Sequence, residues 1–426
     1  MIYDFDSLVD KILVIFISFF IYAFFYKKYY TSLYDPLFYN IVIYLSFSSA
    51  LMFLINGDNI YYMIEFILFQ ISFFLGFLFT NNFKLIYQIE EKIVLSKNSI
   101  KKLSTTMIIV FIILLLVNLM IYQTTGFAIF SEDPTMAKVA NFTDGGGIYR
   151  RLLWTLTPLC IAGSVILILS KYKRKLFVIF VVILLLLSIL SGSKGSLLVY
   201  VFYVFILSNH KIFKTTFMAQ KIQKTLPLLL LLAVFTALLV LTIETNGIES
   251  AIYHLINRLL FNGDVVIYYY IPMIHNYFSD YDFFTYIYNI FNGVLGMLRI
   301  VPYETPTGYQ MVYEFNNGNL PFDMVLGPNT PVYIVSDMYF GPILGIFYSF
   351  FVGSFIAFSR QLFLQKQSNA ISFLIKTWLY MASFTFMVEA PLFIGRLFEI
   401  FLFFMPIVFI VTLLYYSSRK KNVVTV

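Results

Sequence analysis

Lys171–Lys211 reads KYKRKLFVIFVVILLLLSILSGSKGSLLVYVFYVFILSNHK. Two apolar runs, Leu176 to Leu190 and Leu197 to Leu207, are enclosed by basic clusters and joined by a turn that holds one lysine between two glycines. Two such runs joined by so short a turn read as a pair of helices in a bilayer. The rest of the chain agrees. Of 426 residues, 60% are hydrophobic and only 12% charged, whereas a soluble domain is about a quarter charged. The fold class expected is an all-α polytopic membrane protein.

A bilayer core of about 30 Å takes roughly 20 apolar residues as helix. About eleven transmembrane helices are expected, over 10–26, 37–55, 60–80, 104–122, 152–169, 176–191, 196–208, 226–243, 333–358, 370–388 and 397–416. Twenty of the 29 lysines and arginines fall in the loops after the odd-numbered spans up to the ninth and in the C-terminal tail. By the positive-inside rule that side is cytoplasmic, which places the N-terminus outside and the C-terminus inside. The opening MIYDFDSLVDK is acidic and has no small-residue cleavage site, so the first run is expected to be retained as a helix. The net charge of +7 belongs to these cytoplasmic loops and calls for no nucleic acid. A single cysteine, Cys160, and three histidines allow no disulfide framework and no Cys/His metal cluster. No Walker loop, dinucleotide fingerprint or HExxH motif is present. No metal and no cofactor are expected.

In chain order the expected organisation is a membrane bundle over 1–243, an extracytoplasmic loop over 244–332 and a second bundle over 333–426. The loop opens with NGIESAIYHLINRLLFNGD, whose apolar residues recur at helical spacing and place His254 and Arg258 on one polar stripe. This reads as an amphipathic helix, interfacial in its plainest account, with Gly263 as the C-cap. An aromatic band follows from Tyr268 to Tyr288, an interfacial belt or a surface on which sugar rings stack. Gly318 to Gly345, rich in proline and glycine, reads as an ordered re-entrant approach to the membrane and not a helix.

The sixth and seventh spans are short. Residues 176–193 give about 27 Å of helix and 196–208 about 20 Å. The turn Gly192-Ser193-Lys194-Gly195 is therefore expected below the outer membrane surface, where an ammonium beside bare amides suits an anion, phosphate above all. In the plain account Lys194 snorkels to the surface. Other outer cations can join it: Arg150 and Arg151 at the start of the fifth span, Arg258, Arg299 in NGVLGMLRIVP, and Arg396 at the start of the eleventh. Glu399 follows Arg396 by one turn, and the two form an ion pair in the structural account. Together these cations outline an outward-facing cavity suited to a lipid pyrophosphate.

With these features the chain resembles the Wzy-type oligosaccharide repeat-unit polymerases of bacterial O-antigen and capsule synthesis. The likeness spans nearly the whole chain and is mostly architectural. Its most specific stretch is GPNTPVYIVSDMYFGPILG, Gly327 to Gly345, with Asn329, Thr330, Pro331, Asp337, Tyr339, Gly341 and Gly345 at the motif positions. The mid-chain turn of relatives often has arginine where this chain has Lys194, a point charge without the bidentate fork. The resemblance implies a fold similar to the GT-C membrane glycosyltransferases in the bacterial cytoplasmic (inner) membrane. The implied reaction transfers a glycan from one undecaprenyl-pyrophosphate carrier to the non-reducing end of another, without metal. A flippase and a chain-length regulator are the implied partners.

The chemistry requires positive charge on the departing pyrophosphate and a base at the acceptor hydroxyl. Lys194, Arg258, Arg299 and Arg396, with Arg150 or Arg151, are the expected pyrophosphate ligands. His254, Asp264 and Asp337 are the candidate bases. The rival readings are an O-antigen-type ligase, which would share the cationic site, and a transporter or flippase for a lipid-linked glycan. No internal repeat supports the transporter.

Overall fold

The computed structural model describes residues 8–55, 60–82, 95–131, 147–192, 196–245, 247–252, 263–319, 327–365 and 367–423. Among them every regular element is helical, and the eleven apolar runs lie in helical structure, the ninth broken at Gly341 and the eleventh divided by a π-helical stretch. The helices are α1 (Leu8–Tyr26), α2 (Tyr44–Ile55, entered through a π-helical turn at Phe38–Ile43), α3 (Ile60–Asn82), α4 (Lys97–Thr125), α5 (Gly147–Leu169), α6 (Arg174–Leu190), α7 (Ser196–Asn209) and α8 (Phe217–Thr245). Four short helices follow: α9 (Val265–Tyr269), α10 (Pro272–Tyr277), α11 (Phe283–Met297) and α12 (Thr307–Phe315). The last are α13 (Val332–Leu364), α14 (Ala370–Val388), α15 (Ala390–Glu399) and α16 (Met405–Val423), with a π-helical stretch Ile400–Phe404 between α15 and α16.

Among the described residues seven helices are long and apolar enough to cross a membrane: Ile60–Asn82, Lys97–Phe130, Gly147–Leu169, Phe217–Ile243, Val332–Leu364, Ala370–Val388 and Ala390–Ser417. Ile12–Tyr26, Phe38–Leu54 and Leu197–Asn209 are apolar but shorter. This is the architecture of a polytopic membrane protein. Helix ends follow local chemistry. Ser96 caps α4, its hydroxyl accepting from the Ser99 amide at 3.3 Å. Asp282 caps α11, accepting from the amide and hydroxyl of Thr285 at 2.8 Å each. Those bonds hold the Asp282 carboxyl below the usual range.

The chain forms two compact units, each drawn from separate stretches of sequence. One comprises 1–86, 256–361 and 381–395; the other comprises 87–255, 362–380 and 396–426. In the first, α3 and the second half of α13 touch backbone to backbone. A Cβ on Gly76 would strike the Phe350 carbonyl, and one on Gly353 the Phe73 carbonyl. Hydroxyls bridge the same seam: Ser72 donates to the Ile346 carbonyl at 2.6 Å and Ser354 to the Gly76 carbonyl at 3.1 Å. Small residues that admit close backbones, joined by hydroxyl bonds, are what drives helix association in lipid. In the second unit α5 packs on α4, α6 and α7. Phe111 stacks on Phe180 with ring centres 3.7 Å apart, and Gly163 makes room for Met107.

The segment expected to approach the membrane without helix is helical from Val332 onward, but it is not one rod. Gly341 is non-helical, with φ 64° and ψ −174°, and Pro342 follows. The hydroxyls of Ser336 and Ser349 meet at 2.7 Å. In a continuous helix thirteen residues would separate them by about 20 Å. The first arm, 332–340, therefore folds back on the second, 342–364. Phe340 stacks on Tyr348 with ring centres 4.6 Å apart, and Gly345 lies against the Ser336 carbonyl, where a side chain would not fit. The second arm alone, at about 1.5 Å per residue, still reaches across a bilayer core.

His210, just beyond α7, is structural. Its Nε2 donates to the Phe363 carbonyl at 3.0 Å, and its ring packs on Phe363 and Phe373. Burial pushes its imidazole down to about 4. The free side chain protonates near 6.5, so the stability that neutral His210 contributes is present above that pH and is lost as pH falls toward 4. At about 1.4 kcal/mol per pH unit, roughly 3 kcal/mol should go over that interval. His210→Phe, which keeps the aromatic contact, should remove this slope. Thermal unfolding of the purified protein at stepped pH checks it, and an unchanged slope in the variant rejects it.

Candidate functional site

In the second unit three of the expected cations come together. Arg150 and Arg151 lie in the first turn of α5, and Arg396 near the end of α15. The Arg150 guanidinium stands 4.9 Å from the ring centre of Trp154, one turn along α5, and that of Arg396 stands 5.7 Å from the same ring. Glu399 does not close on Arg396, as their spacing implies. One of its oxygens accepts from Arg151 at 2.6 Å and the other from the Thr155 hydroxyl at 2.7 Å. Both oxygens are thus engaged by α5, in a pair whose carboxylate is buried. The buried Arg396 Nε has no hydrogen-bond partner among the described residues. Among the described residues the result is a half-buried cluster of three arginines on two helices, braced by the Arg151–Glu399 pair.

At the end of α6 Gly192 takes the left-handed conformation, φ 68°, and its amide donates to the Ile189 carbonyl at 2.8 Å. Ser193, Lys194 and Gly195 lie outside the described residues, as do His254 and Arg258. Residues 248–252, before those last two, are helical as expected. A second basic concavity, of about 500 Å³, is lined by Lys171, Lys173, Arg174, Lys175 and Leu176. It is wide open and lies in the turn between α5 and α6.

In the first unit the remaining candidates divide. Arg299 is exposed and left-handed, φ 58°, in the turn that ends α11, and among the described residues it meets no carboxylate. Asp264 is half-buried at the start of α9, within electrostatic reach of Tyr44, Tyr268 and Tyr333. Gly263 is not a left-handed C-cap; it is needed because its Cα lies against the backbone of Ser48. Asp337, on the folded-back arm, pairs with His275 of α10, Oδ2 to Nε2 3.4 Å. The other imidazole nitrogen, Nδ1, faces the Tyr62 hydroxyl at 3.5 Å.

The Asn-Thr-Pro turn is fastened rather than catalytic in form. Asn329 is exposed, while Thr330 and Pro331 are buried. The Thr330 amide donates to Glu389 at 2.9 Å. Gly308 and Gly327 let the start of α12 lie directly against this segment. Tyr339 accepts from the Asn289 side-chain amide at 2.7 Å. Gly341 and Gly345 make the fold-back. The motif residues thus position Asp337.

Sequence reasoning passed over Tyr62, Trp154 and Thr155, and gave His275 and Glu389 no place in the site. The readable signal was a carboxylate inside an apolar run, which marks Glu389 and Glu399 as worth partnering. His275 carries only the weaker mark of a titratable group within an aromatic band. Comparison of the chain with protein-family models, with curated proteins and with solved structures finds no match.

Proposed function

We propose that this protein polymerises lipid-linked oligosaccharide repeat units at the outer face of a bacterial cytoplasmic membrane. In this reading all eleven helical runs cross the membrane in a GT-C-like bundle, with the N-terminus outside and 244–332 as the extracytoplasmic loop. The orientation puts the first turn of α5 and its arginines on the outer side. The donor is a glycan on undecaprenyl pyrophosphate, the acceptor a second lipid-linked unit, and the carrier pyrophosphate is the leaving group. A flippase supplies the units, and a chain-length regulator is a natural partner.

Arg396 is the observation that carries the reading. Its guanidinium is held against Trp154 while the carboxylate one turn away is engaged by Arg151 and Thr155. A cation so placed favours a phosphate, to which it can present paired N–H donors as negative charge develops on the departing group. Purified protein reconstituted in vesicles with lipid-linked repeat units should yield a ladder of products on a gel. Units that remain single overturn the reading. Transfer of preformed polymer to a different lipid acceptor, with no ladder, would identify a ligase instead. Movement of intact units across the vesicle membrane would identify a flippase.

A further inference from the structure

The polar cluster of the first unit joins three elements that the chain brings together from far apart: Tyr62 on α3, His275 on α10 and Asp337 on the folded-back arm of α13. The Tyr62 ring lies against the imidazole with centres 4.7 Å apart, and Tyr269 adds a second aromatic wall at 5.3 Å. Asp337 is more than nine-tenths buried and His275 about three-quarters. Although Asp337 Oδ2 and His275 Nε2 are 3.4 Å apart, neither atom has a hydrogen bond among the described residues. The buried Tyr270 hydroxyl has none either.

Leaving a buried polar atom unmet costs about 1–3 kcal/mol. A pair kept only for stability would close to an aligned contact below about 3.2 Å. Groups that work on a ligand are often loose until it is bound. The titratable side chains around His275 are Tyr61, Tyr62, Glu65, Tyr269, Tyr270 and Asp337. Among the described residues none of these is cationic, and two are carboxylates.

We propose that Asp337, His275 and Tyr62 form a proton relay that deprotonates a carbohydrate hydroxyl, and that the tyrosines around it are the surface on which that sugar rests. Asp337 holds the proton of neutral His275 on Nε2, leaving the lone pair of Nδ1 directed at Tyr62. As the sugar hydroxyl oxygen bonds to the anomeric carbon of the donor, its proton passes to the Tyr62 hydroxyl oxygen, whose own proton passes to Nδ1. The bond from that carbon to the pyrophosphate oxygen breaks, and the electron pair leaves with the pyrophosphate. The imidazolium later returns its proton to water. Tyr62 touches the reacting hydroxyl; His275 accepts the proton; Asp337 is a positioning residue. The inference rests on the polymerase reading for its donor but not for its sugar.

Its test has two arms. His275→Ala should lower ladder formation in the reconstituted vesicles by about 10²- to 10⁴-fold, with binding of the lipid-linked unit retained and part of the rate restored by added imidazole. Asp337→Asn should lose rate, and Asp337→Glu should recover some of it. His275→Gln guards against collapse of the small side chain. Full activity in folded His275 variants, or a loss that imidazole does not touch, overturns the relay. The second arm is independent of turnover: carbethoxylation of His275, located by mass spectrometry, should slow in the presence of the lipid-linked oligosaccharide but not of undecaprenyl pyrophosphate alone. Equal protection by both overturns the sugar site. Absence of a wild-type ladder overturns the polymerase reading and leaves this second arm to decide.

Discussion

Arg396→Ala should reduce the initial rate of ladder formation by about two to three orders of magnitude, the usual effect of removing one donor from a developing oxyanion. The magnitude follows from its placement. Arg396 stacks on Trp154, its Nε is buried, and the nearby Glu399 is turned to Arg151 and Thr155. Its charge also lies within electrostatic reach of Glu399 and of Tyr203 on α7, so the variant's rate is compared at matched folded content. Arg396→Lys keeps the charge and loses the planar fork, so its rate should fall between wild type and alanine. Substitution of Glu399 differs in kind. Removing that buried carboxylate breaks its bonds to Arg151 and Thr155 and should lower stability. Rates measured on vesicles with matched protein content check the first statement, and an Arg396→Ala protein that builds ladders at the normal rate would falsify the pyrophosphate assignment.

Gly353→Leu should unfold or misassemble the first unit. A side chain there meets the Phe73 carbonyl, and the facing Gly76 already touches the Phe350 carbonyl. Backbone atoms cannot turn away as a side chain can, so α3 and the second arm of α13 must separate. That separation also breaks the Ser72–Ile346 and Ser354–Gly76 bonds. Overpacking alone costs about 1–3 kcal/mol, and the lost hydroxyl bonds add about 0.6 kcal/mol each. Thermal unfolding in detergent should show a large drop for Gly353→Leu and a smaller one for Gly353→Ala. A Tm equal to wild type for the leucine variant removes the close approach from the account.

Much of the helical architecture was legible because hydropathy is a local property. The apolar runs lie in helical structure, and α14 has the expected limits, 370–388, but the run 333–358 breaks at Gly341 and the run 397–416 crosses from α15 through a π-helical stretch into α16. What escaped the sequence was long-range. The run 333–358 gives no hydropathic sign of a fold-back, because both arms are apolar; only Gly341-Pro342 marks it. The spacing of Arg396 and Glu399 pointed to a local pair, but Arg151 and Thr155, some 250 residues away in sequence, took both carboxylate oxygens. Asp337 stood out only through the resemblance of Gly327 to Gly345 to a family motif, and its partner His275 could not be read from spacing. Arg150, Arg151 and Arg396 were legible together only because the positive-inside rule singles out cations on the wrong side.

The folded-back arm of α13 also constrains how the protein can be made. Its residues 332–340 give only about 14 Å of helix, half the thickness of a bilayer core. The insertion machinery can stabilise 342–364 as a membrane segment, but it cannot hold the shorter stretch in lipid by itself. That stretch must dock from the aqueous side, once Ser349 and Glu389 are in place to receive Ser336 and Thr330. Asp337 arrives with it, so in the proposed relay the carboxylate is among the last groups to be placed during biogenesis. Defects in this docking should leave a protein that is fully inserted, normally abundant and inert.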